Sequence, residues 1–422
     1  MGELAVLLVE NESVPTDKRV WIEACILRDS GYDVIIVCPT GIGRDHETEV
    51  QIDGITIRRF PLDRAEEGFV GFIVEYLTAL WRMAWIVWRL GRPISVIHSA
   101  NPPDFLFVIG LIPKMRWGTK LVFDHHDLVP ELFEARFGSH KLLLRLTRAT
   151  EWLSFRTADA VVSTNESYRR IAIERGGKRP EQVRVVRNAR DRATFRPVEP
   201  DPSLKRGRPN LAVYVGVMGH QDGGDVAVRV AGIYRNQLGR DDLQVTFVGD
   251  GDQVDDCKRL AAELGVEDMI HFAGWVDKDE VLRYLSTADV GLATDPPSPL
   301  NDVSTMIKVV EYAAVGLPMV SFDLAESVVS AGDAALYAPA GDEKALAEQL
   351  AALIDDPELR EELGRRAIAR SDGPLSWQTA NDALLETYER LENDWRSSQA
   401  IGRSRVGAIA QYPGRWIHMR RH

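Results

Sequence analysis

Cysteine is scarce. Cys25, Cys38 and Cys257 lie far apart, without a CxxC pair or an even-numbered framework, which excludes a disulfide-stapled fold and a structural zinc site and implies a reducing compartment. Positive charge is also in deficit, with 51 Lys and Arg against 63 Asp and Glu and a formal net charge of -12. Nucleic acid, which needs a basic surface, is not an expected partner. An unbroken membrane span is lacking: FVGFIVEYLTALWRMAWIVWRLG, residues 69 to 91, is long enough but interrupted by Glu75, Arg82 and Arg89. It reads as an amphipathic helix buried on the protein, or as one lying in a membrane interface. The opening MGELAVLLVEN is too short and too soon acidic for a signal peptide, so a cytoplasmic protein is expected. Several chemical fingerprints are missing as well. There is no GxGxxG with a correctly spaced acid, no GxxxxGK[ST], no GxSxG and no HExxH, which weakens simple dinucleotide, P-loop, hydrolase-elbow and zinc-peptidase readings.

What is present is a repeating alternation. With 422 residues, 45% hydrophobic and 27% charged, the chain exceeds one core and predicts two or three domains. Strand-length apolar runs LAVLLVEN, YDVIIVCP, ISVIHSAN, KLVFDHHD, DAVVSTN and VRVVRNA alternate with helical patterns, the signature of βαβ units on a parallel sheet. QIDGITIRRF predicts a hairpin turned at Asp53 and Gly54. Prolines and charges replace the pattern at residues 196 to 210, a linker. A second series, LAVYVG, LQVTFVGDG, IHFAGWV, DVGLATD and LPMVSFD, then starts. The expected division is a first α/β domain over residues 1–200, a second over 210–372, a helix over 374–396 packing back toward the first, and a basic, solvated tail over 397–422 that holds Arg403, Arg405, Arg415, Arg420 and Arg421. Anionic lipid is the alternative role for that tail.

Ligands on such sheets bind beyond the carboxyl ends of the strands. In the first domain His125, His126 and Asp127 fall there. Adjacent side chains on a strand point opposite ways, so the two histidines cannot simply chelate one metal; a histidine polarised by a neighbouring aspartate can donate a proton or hydrogen bond, and a structural histidine is the plain alternative. In the second domain, VGVMGHQDGGD and VGDGDQ are glycine turns that could approach a diphosphate or simply turn the chain. NDVSTMIKVVEYAAVGLP, residues 301 to 318, predicts a helix capped by Ser304, running from Thr305 to Val315 and closed by Gly316 and Pro318. Ser304, Lys308, Glu311 and Val315 would share one stripe, with Ile307, Val310 and Ala314 on an apolar one. An anion fits such a helix start beside Lys308; a solvated Lys308–Glu311 pair is the alternative.

Together DKRVWIEACILRDSGYDV, NPPDFLF, FDHHDLVPELFEARFG, STNESYRRIAIERGG, GVMGHQDGGD and NDVSTMIKVVEYAAVGLPMVSFDL resemble retaining nucleotide-sugar glycosyltransferases of family 4, over nearly the whole chain to about residue 396. The likeness is greatest to bacterial enzymes of capsule, exopolysaccharide and O-antigen synthesis. It implies a GT-B fold, two doubly wound Rossmann-like domains facing each other across a cleft. It implies a nucleoside diphosphate sugar as donor, UDP-linked, a glycan or lipid-linked acceptor, peripheral membrane contact at the inner face of the cell membrane, and no cofactor or metal. By resemblance Glu311 accepts the ribose hydroxyls, Ser304, Thr305 and Met306 hold phosphate and sugar through backbone amides, and Lys308 balances charge on the leaving diphosphate. His126 contacts the donor sugar near its reacting carbon, oriented by Asp127. Gly219 and Val276 join the donor side, and Asp17, Arg19 and Asn101 are cleft candidates.

Three departures stand out. The first glutamate of the family's paired motif falls at Val303, its role either lost or taken by Asp302, and the usual phosphate-binding arginine and lysine fall at Val217 and Asp222. VENESVPTD also lacks the usual glycine pair. These departures permit a second expectation, a GT-B protein that binds a nucleotide or partner without turnover; a third is a UDP-sugar epimerase.

Overall fold

A computed structural model of the chain describes residues 3–41, 45–62, 69–137 and 141–410, with side chains from 69–73, 135–137 and 397–410 outside the description. Most of the apolar runs become strands covered on both faces, while Glu49–Ile52 and Ile270–Gly274 at the sheet edges stay part-exposed. β1 (Leu4–Leu8), β2 (Asp33–Pro39), β3 (Glu49–Ile52), β4 (Ile55–Phe60), β5 (Val96–Ala100), β6 (Lys120–His125), β7 (Ala160–Ser163) and β8 (Val183–Val185) form one sheet, ordered β3-β4-β2-β1-β5-β6-β7-β8. Only β3 runs antiparallel, paired with β4 through a turn in which Asp53 and Gly54 both take positive φ, 48° and 81°, as a two-residue hairpin of matching twist requires.

The second sheet is β11-β10-β9-β12-β13-β14, built from β9 (Asn210–Val215), β10 (Leu243–Val248), β11 (Ile270–Gly274), β12 (Val290–Ala293), β13 (Met319–Phe322) and β14 (Ala335–Ala338). All its pairings are parallel. In each sheet the strand order reverses once, at β1/β5 and at β9/β12. A crevice opens beyond the carboxyl ends at such a reversal, so the two sheets present loops to the same gap.

Two expectations about helices are corrected. The segment 397–422 does not start as a loose tail: the last helix continues through Trp377–Ala410, carrying the backbone of Arg403 and Arg405, whereas Arg415, Arg420 and Arg421 lie outside the described residues. The helix Phe69–Trp88 is not simply buried. Ala79, Met83 and Val87 are covered, but Leu77, Trp81 and Trp85, one turn apart in succession, are 59%, 61% and 49% exposed. Its outward stripe is therefore apolar. Among the described residues no helix is long and apolar enough to cross a membrane.

The last helix returns to the first sheet. Its Leu384, Tyr388 and Leu391 are buried in the same cluster as Leu7, Leu27 and Val96, and Tyr388 Oη lies 2.9 Å from His98 Nδ1 on β5. Both groups are buried, so Tyr388→Phe leaves an imidazole nitrogen without its partner and is expected to lower unfolding free energy by about 1–3 kcal/mol, measured by urea denaturation.

Candidate active site between the two sheets

A cavity of about 490 Å3 lies between the sheets, lined by Asp17, Arg19, His126 and Asp127 from one side, by Arg187 and Arg190 from the segment after β8, and by Asp222 and Ser304–Ile307 from the other. The helix at its wall runs Ile307–Val315, two residues shorter at the front than its sequence predicts. Met306 occupies the cap position with extended backbone and no side-chain cap bond. Ser304 is not the cap, because its hydroxyl is used elsewhere: it donates to Leu300 O at 2.7 Å and lies 2.9 Å from Tyr168 Oη of the first domain. The first N–H groups of the helix thus have no side-chain acceptor, the condition under which an anion binds. Gly316 closes the helix at φ 74°, as its position predicts. Ile307, expected on the apolar stripe, is instead 47% exposed at the cavity, while Val310 and Ala314 are buried.

Lys308 points inward, not to solvent. Its ammonium lies 2.6 Å from Asp295 Oδ1 and donates to Asp222 O at 3.2 Å, with the Tyr214 ring centroid 4.5 Å away. Lys308 and Asp295 are 6% and 2% exposed, and neither lines the cavity. The charge lies just behind the wall that Asp222 forms. Burial raises the Asp222 carboxyl's pKa, with Lys308 opposing, and its Oδ2 accepts the Gly219 N–H at 3.0 Å. Glu311 accepts from Arg190, Nη2 at 2.8 Å and Nε at 3.1 Å, so the alternative of a solvated Lys308–Glu311 pair does not hold.

Arg187 and Arg190 are cavity-lining cations that the sequence motifs do not single out. Both follow β8 at a strand's carboxyl end, a position that could have drawn attention to them. Arg187 Nη1 is buried without a hydrogen-bond partner, and the nearest carboxylate oxygen recorded for it, Glu326 Oε2, is 4.0 Å away. Burial lowers the guanidinium's pKa, and Glu326 only partly opposes this. An anion in the cavity would satisfy it. The positive charge absent at Val217 and Asp222 is therefore available from the opposite wall.

On the first sheet the orienting carboxylate is Asp124, not Asp127. Alternate residues on a strand share a face, so Asp124 and His126 meet, Nδ1 to Oδ2 at 3.1 Å, while His125 turns the other way. Burial alone would lower the His126 pKa, but Asp124, by charge and hydrogen bond, outweighs it and lifts the value to about 9. The ring is then a cation whose Nε2 remains for a ligand. His125 is held near 3 by burial, then by Arg175 and His126, and packs against Phe155 and Tyr168; it is a neutral core residue.

Arg19 is a brace as much as a cleft residue. It binds Asp124 through Nε at 2.9 Å and Nη2 at 2.7 Å, and reaches Val186 O and Asn188 Oδ1 through Nη1 at 3.0 and 2.8 Å. Asp17 caps the helix Lys18–Asp29 by accepting Val20 N–H. Asn101 is fully buried and does not line the cavity: its Oδ1 accepts the N–H groups of His126 and Asp127 at 2.9 and 3.0 Å, and its Nδ2 donates to Asp127 O at 2.7 Å. Asn101 positions the histidine loop. Glu23, His98 and Asp124 form the group of possible metal ligands identified among the described residues, but the Arg19 guanidinium, 3.1 Å from Glu23 and bonded to Asp124, already supplies the positive charge there.

Three further assignments are corrected. Asp302 is exposed and its Oδ1 accepts Ala325 N–H at 3.0 Å, capping the next helix instead of replacing the missing glutamate. Val276 packs into the apolar cluster with Leu282 and Leu285 and lines neither cavity. Gly219 lines a neighbouring cavity, not this one. Val303, in the glutamate's place, joins Leu128, Tyr168 and Leu300 in an apolar cluster spanning the two domains. Asn165 adds polar bonds across the same junction, to Val303 O at 2.9 Å and Thr305 Oγ1 at 3.0 Å.

Residues 19–189 match the family described as glycosyl transferase 4-like domain, and residues 209–356 match glycosyl transferases group 1. The lipopolysaccharide core biosynthesis glycosyltransferase LpsE of Rhizobium meliloti (strain 1021) is 26% identical over 311 residues, covering 71% of this chain and 80% of LpsE. A glycogen synthase of Mycobacterium tuberculosis (strain CDC 1551 / Oshkosh) is 26% identical over 387 residues, 88% of this chain and 90% of that protein. The structure of Anabaena Alr3699/HepE in complex with UDP-glucose shares the fold with TM-score 0.69 at 15% identity, covering 92% of this chain and 99% of that one. With a glycosyltransferase domain matched in each half, the chain belongs to the GT-B glycosyltransferases of family 4 type.

Proposed function

We propose that the protein is a retaining, metal-independent transferase that moves a sugar from a UDP-sugar to a glycan or lipid-linked acceptor of bacterial surface polysaccharide. The observation that carries this reading is the meeting of charged His126, Arg187 and Arg190 with the uncapped helix start at Ser304–Ile307 around one cavity. The diphosphate lies on the helix start, with Lys308 behind it and Arg187 opposite. Glu311, tied through Arg190 to the cavity lining, is assigned to the ribose. His126 Nε2 donates to the sugar hydroxyls, keeping the anomeric carbon between donor and acceptor. The bond from that carbon to the phosphate oxygen breaks, a bond to the acceptor hydroxyl oxygen forms with the same anomeric configuration, and the hydroxyl proton ends on the departing diphosphate. Support for the UDP donor comes from the shared fold of the HepE complex.

The apolar outward stripe of Leu77, Trp81 and Trp85 suits contact with a membrane surface, at the cytoplasmic face in this reading. A donor panel assayed by released nucleoside diphosphate, with lipid extract as acceptor and the product's anomeric configuration read by NMR, tests the assignment. Release from a UDP-sugar, unaffected by EDTA, with retained configuration is expected; no release from any donor overturns it. One observation favours a binding protein without turnover instead, the neutralisation of Lys308 by Asp295, and that reading predicts UDP binding with no transfer. Arg187→Met is expected to weaken UDP binding about tenfold, the loss of one charge-assisted contact, by calorimetry.

A further inference from the structure

A second cavity, of about 790 Å3, adjoins the first. Leu132, Gln221, Leu300 and Asn301 line both, so a molecule in one abuts a molecule in the other. Its lining is mostly apolar. The first domain contributes Leu77, Phe105, Phe133, Leu143 and Leu146, interrupted by Asp104, Thr147 and Thr150, and the second adds Val217 and Leu300 beside His220, Gln221 and Asp252. At its mouth Leu77 and Leu146 are each 59% exposed, and the exposed apolar surface continues outward over Val74 and Trp81 and over Leu142.

We propose that this cavity binds the hydrocarbon chain of an amphiphilic acceptor whose polar head reaches the first cavity beside His126; the inference rests on the glycosyltransferase reading and selects its acceptor class. A sugar chain fits less well, since beyond Asp104, Thr147 and Thr150 the first-domain lining is apolar and would leave most of its hydroxyls without partners. A hydrocarbon chain removes that wall from water, and a cavity of this size is ordinary for a ligand largely enclosed by apolar side chains. Continuity decides the occupant: exposed Leu77 and Leu146 and the four residues shared with the reaction cavity line one continuous space, the two-part chemistry of an amphiphile. A large exposed apolar patch on a soluble surface marks such a site.

The test uses hexyl, octyl and decyl β-glucosides as probes, each below its micelle concentration, with the full chain. Affinity is expected to tighten about tenfold for each added pair of methylenes, from about 0.8 kcal/mol per buried CH2. Leu77→Asp and Leu146→Asp, at exposed positions that leave folding intact, are expected to weaken octyl glucoside binding at least about tenfold without changing UDP affinity. Affinity independent of chain length, or variants that bind octyl glucoside as the parent does, overturns the proposal. So does a loss confined to sedimentation with lipid vesicles, which would make this face a membrane contact alone. Chain-length-dependent binding in a protein that fails to bind UDP would keep the apolar site and remove the transferase reading instead.

Discussion

Lys308→Met is expected to lower unfolding free energy by about 3–5 kcal/mol, the cost of leaving one member of a buried ion pair behind. Asp295 is 2% exposed and its Oδ2 already has no hydrogen-bond partner, so without the ammonium 2.6 Å from Oδ1 the carboxylate has neither counter-charge nor water. Removing both charges separates structure from chemistry. The double variant Lys308→Met with Asp295→Leu is expected to recover most of the lost stability, because an apolar pair of similar volume avoids the desolvation cost. Transfer activity is expected to stay low in both, since the diphosphate would leave without the positive charge behind the wall. Urea denaturation and a released-nucleotide assay on the same preparations check this. Full activity in the stable double variant would make Lys308 structural and shift the charge-balancing role to Arg187 and Arg190.

His126→Ala is expected to reduce kcat by about 10²–10⁴-fold, the range for a positioned hydrogen-bonding or proton-donating side chain. The ring is charged near neutrality because Asp124 more than offsets burial. The parent enzyme should lose activity as pH rises through about 9, and His126→Ala should lose that limb of the profile. The stability consequence has the same direction. A histidine raised from about 6.5 contributes fully below that unfolded value and loses its contribution as pH rises through about 9. Asp124→Asn should move the alkaline limb to lower pH, a shift that simple loss of folding would not produce. A kcat profile from pH 6 to 10 for the parent and both variants measures all three effects.

Both sheets were legible in the sequence because strands buried on two faces read as unbroken apolar runs, and the Asp53–Gly54 hairpin because only its turn type admits that pair so readily. The exception was β14, four residues in ALYA, too short to stand out from helical surroundings. Site residues were harder. His126 could be found at a strand's end, and its true partner Asp124 lay two residues back on the same strand face. Asp127 is adjacent in sequence, but the strand's two-residue period puts Asp124 beside the ring. Lys308 meeting Asp295, and Ser304 meeting Tyr168, each join a helix residue to a loop residue distant in sequence, contacts that form only when the chain packs. No local spacing announces them. Val303 reads in sequence only as a missing glutamate; the structure gives it a packing role in the cluster joining the domains.

Calorimetric titration of UDP into the parent protein and Glu311→Ala addresses the central claim most directly. One saturable site is expected, with affinity at least about tenfold weaker in the variant, as for a carboxylate that accepts hydrogen bonds from the ligand. The absence of saturable binding to the parent, or equal affinity in the two proteins, would contradict a nucleotide held between the sheets against this helix.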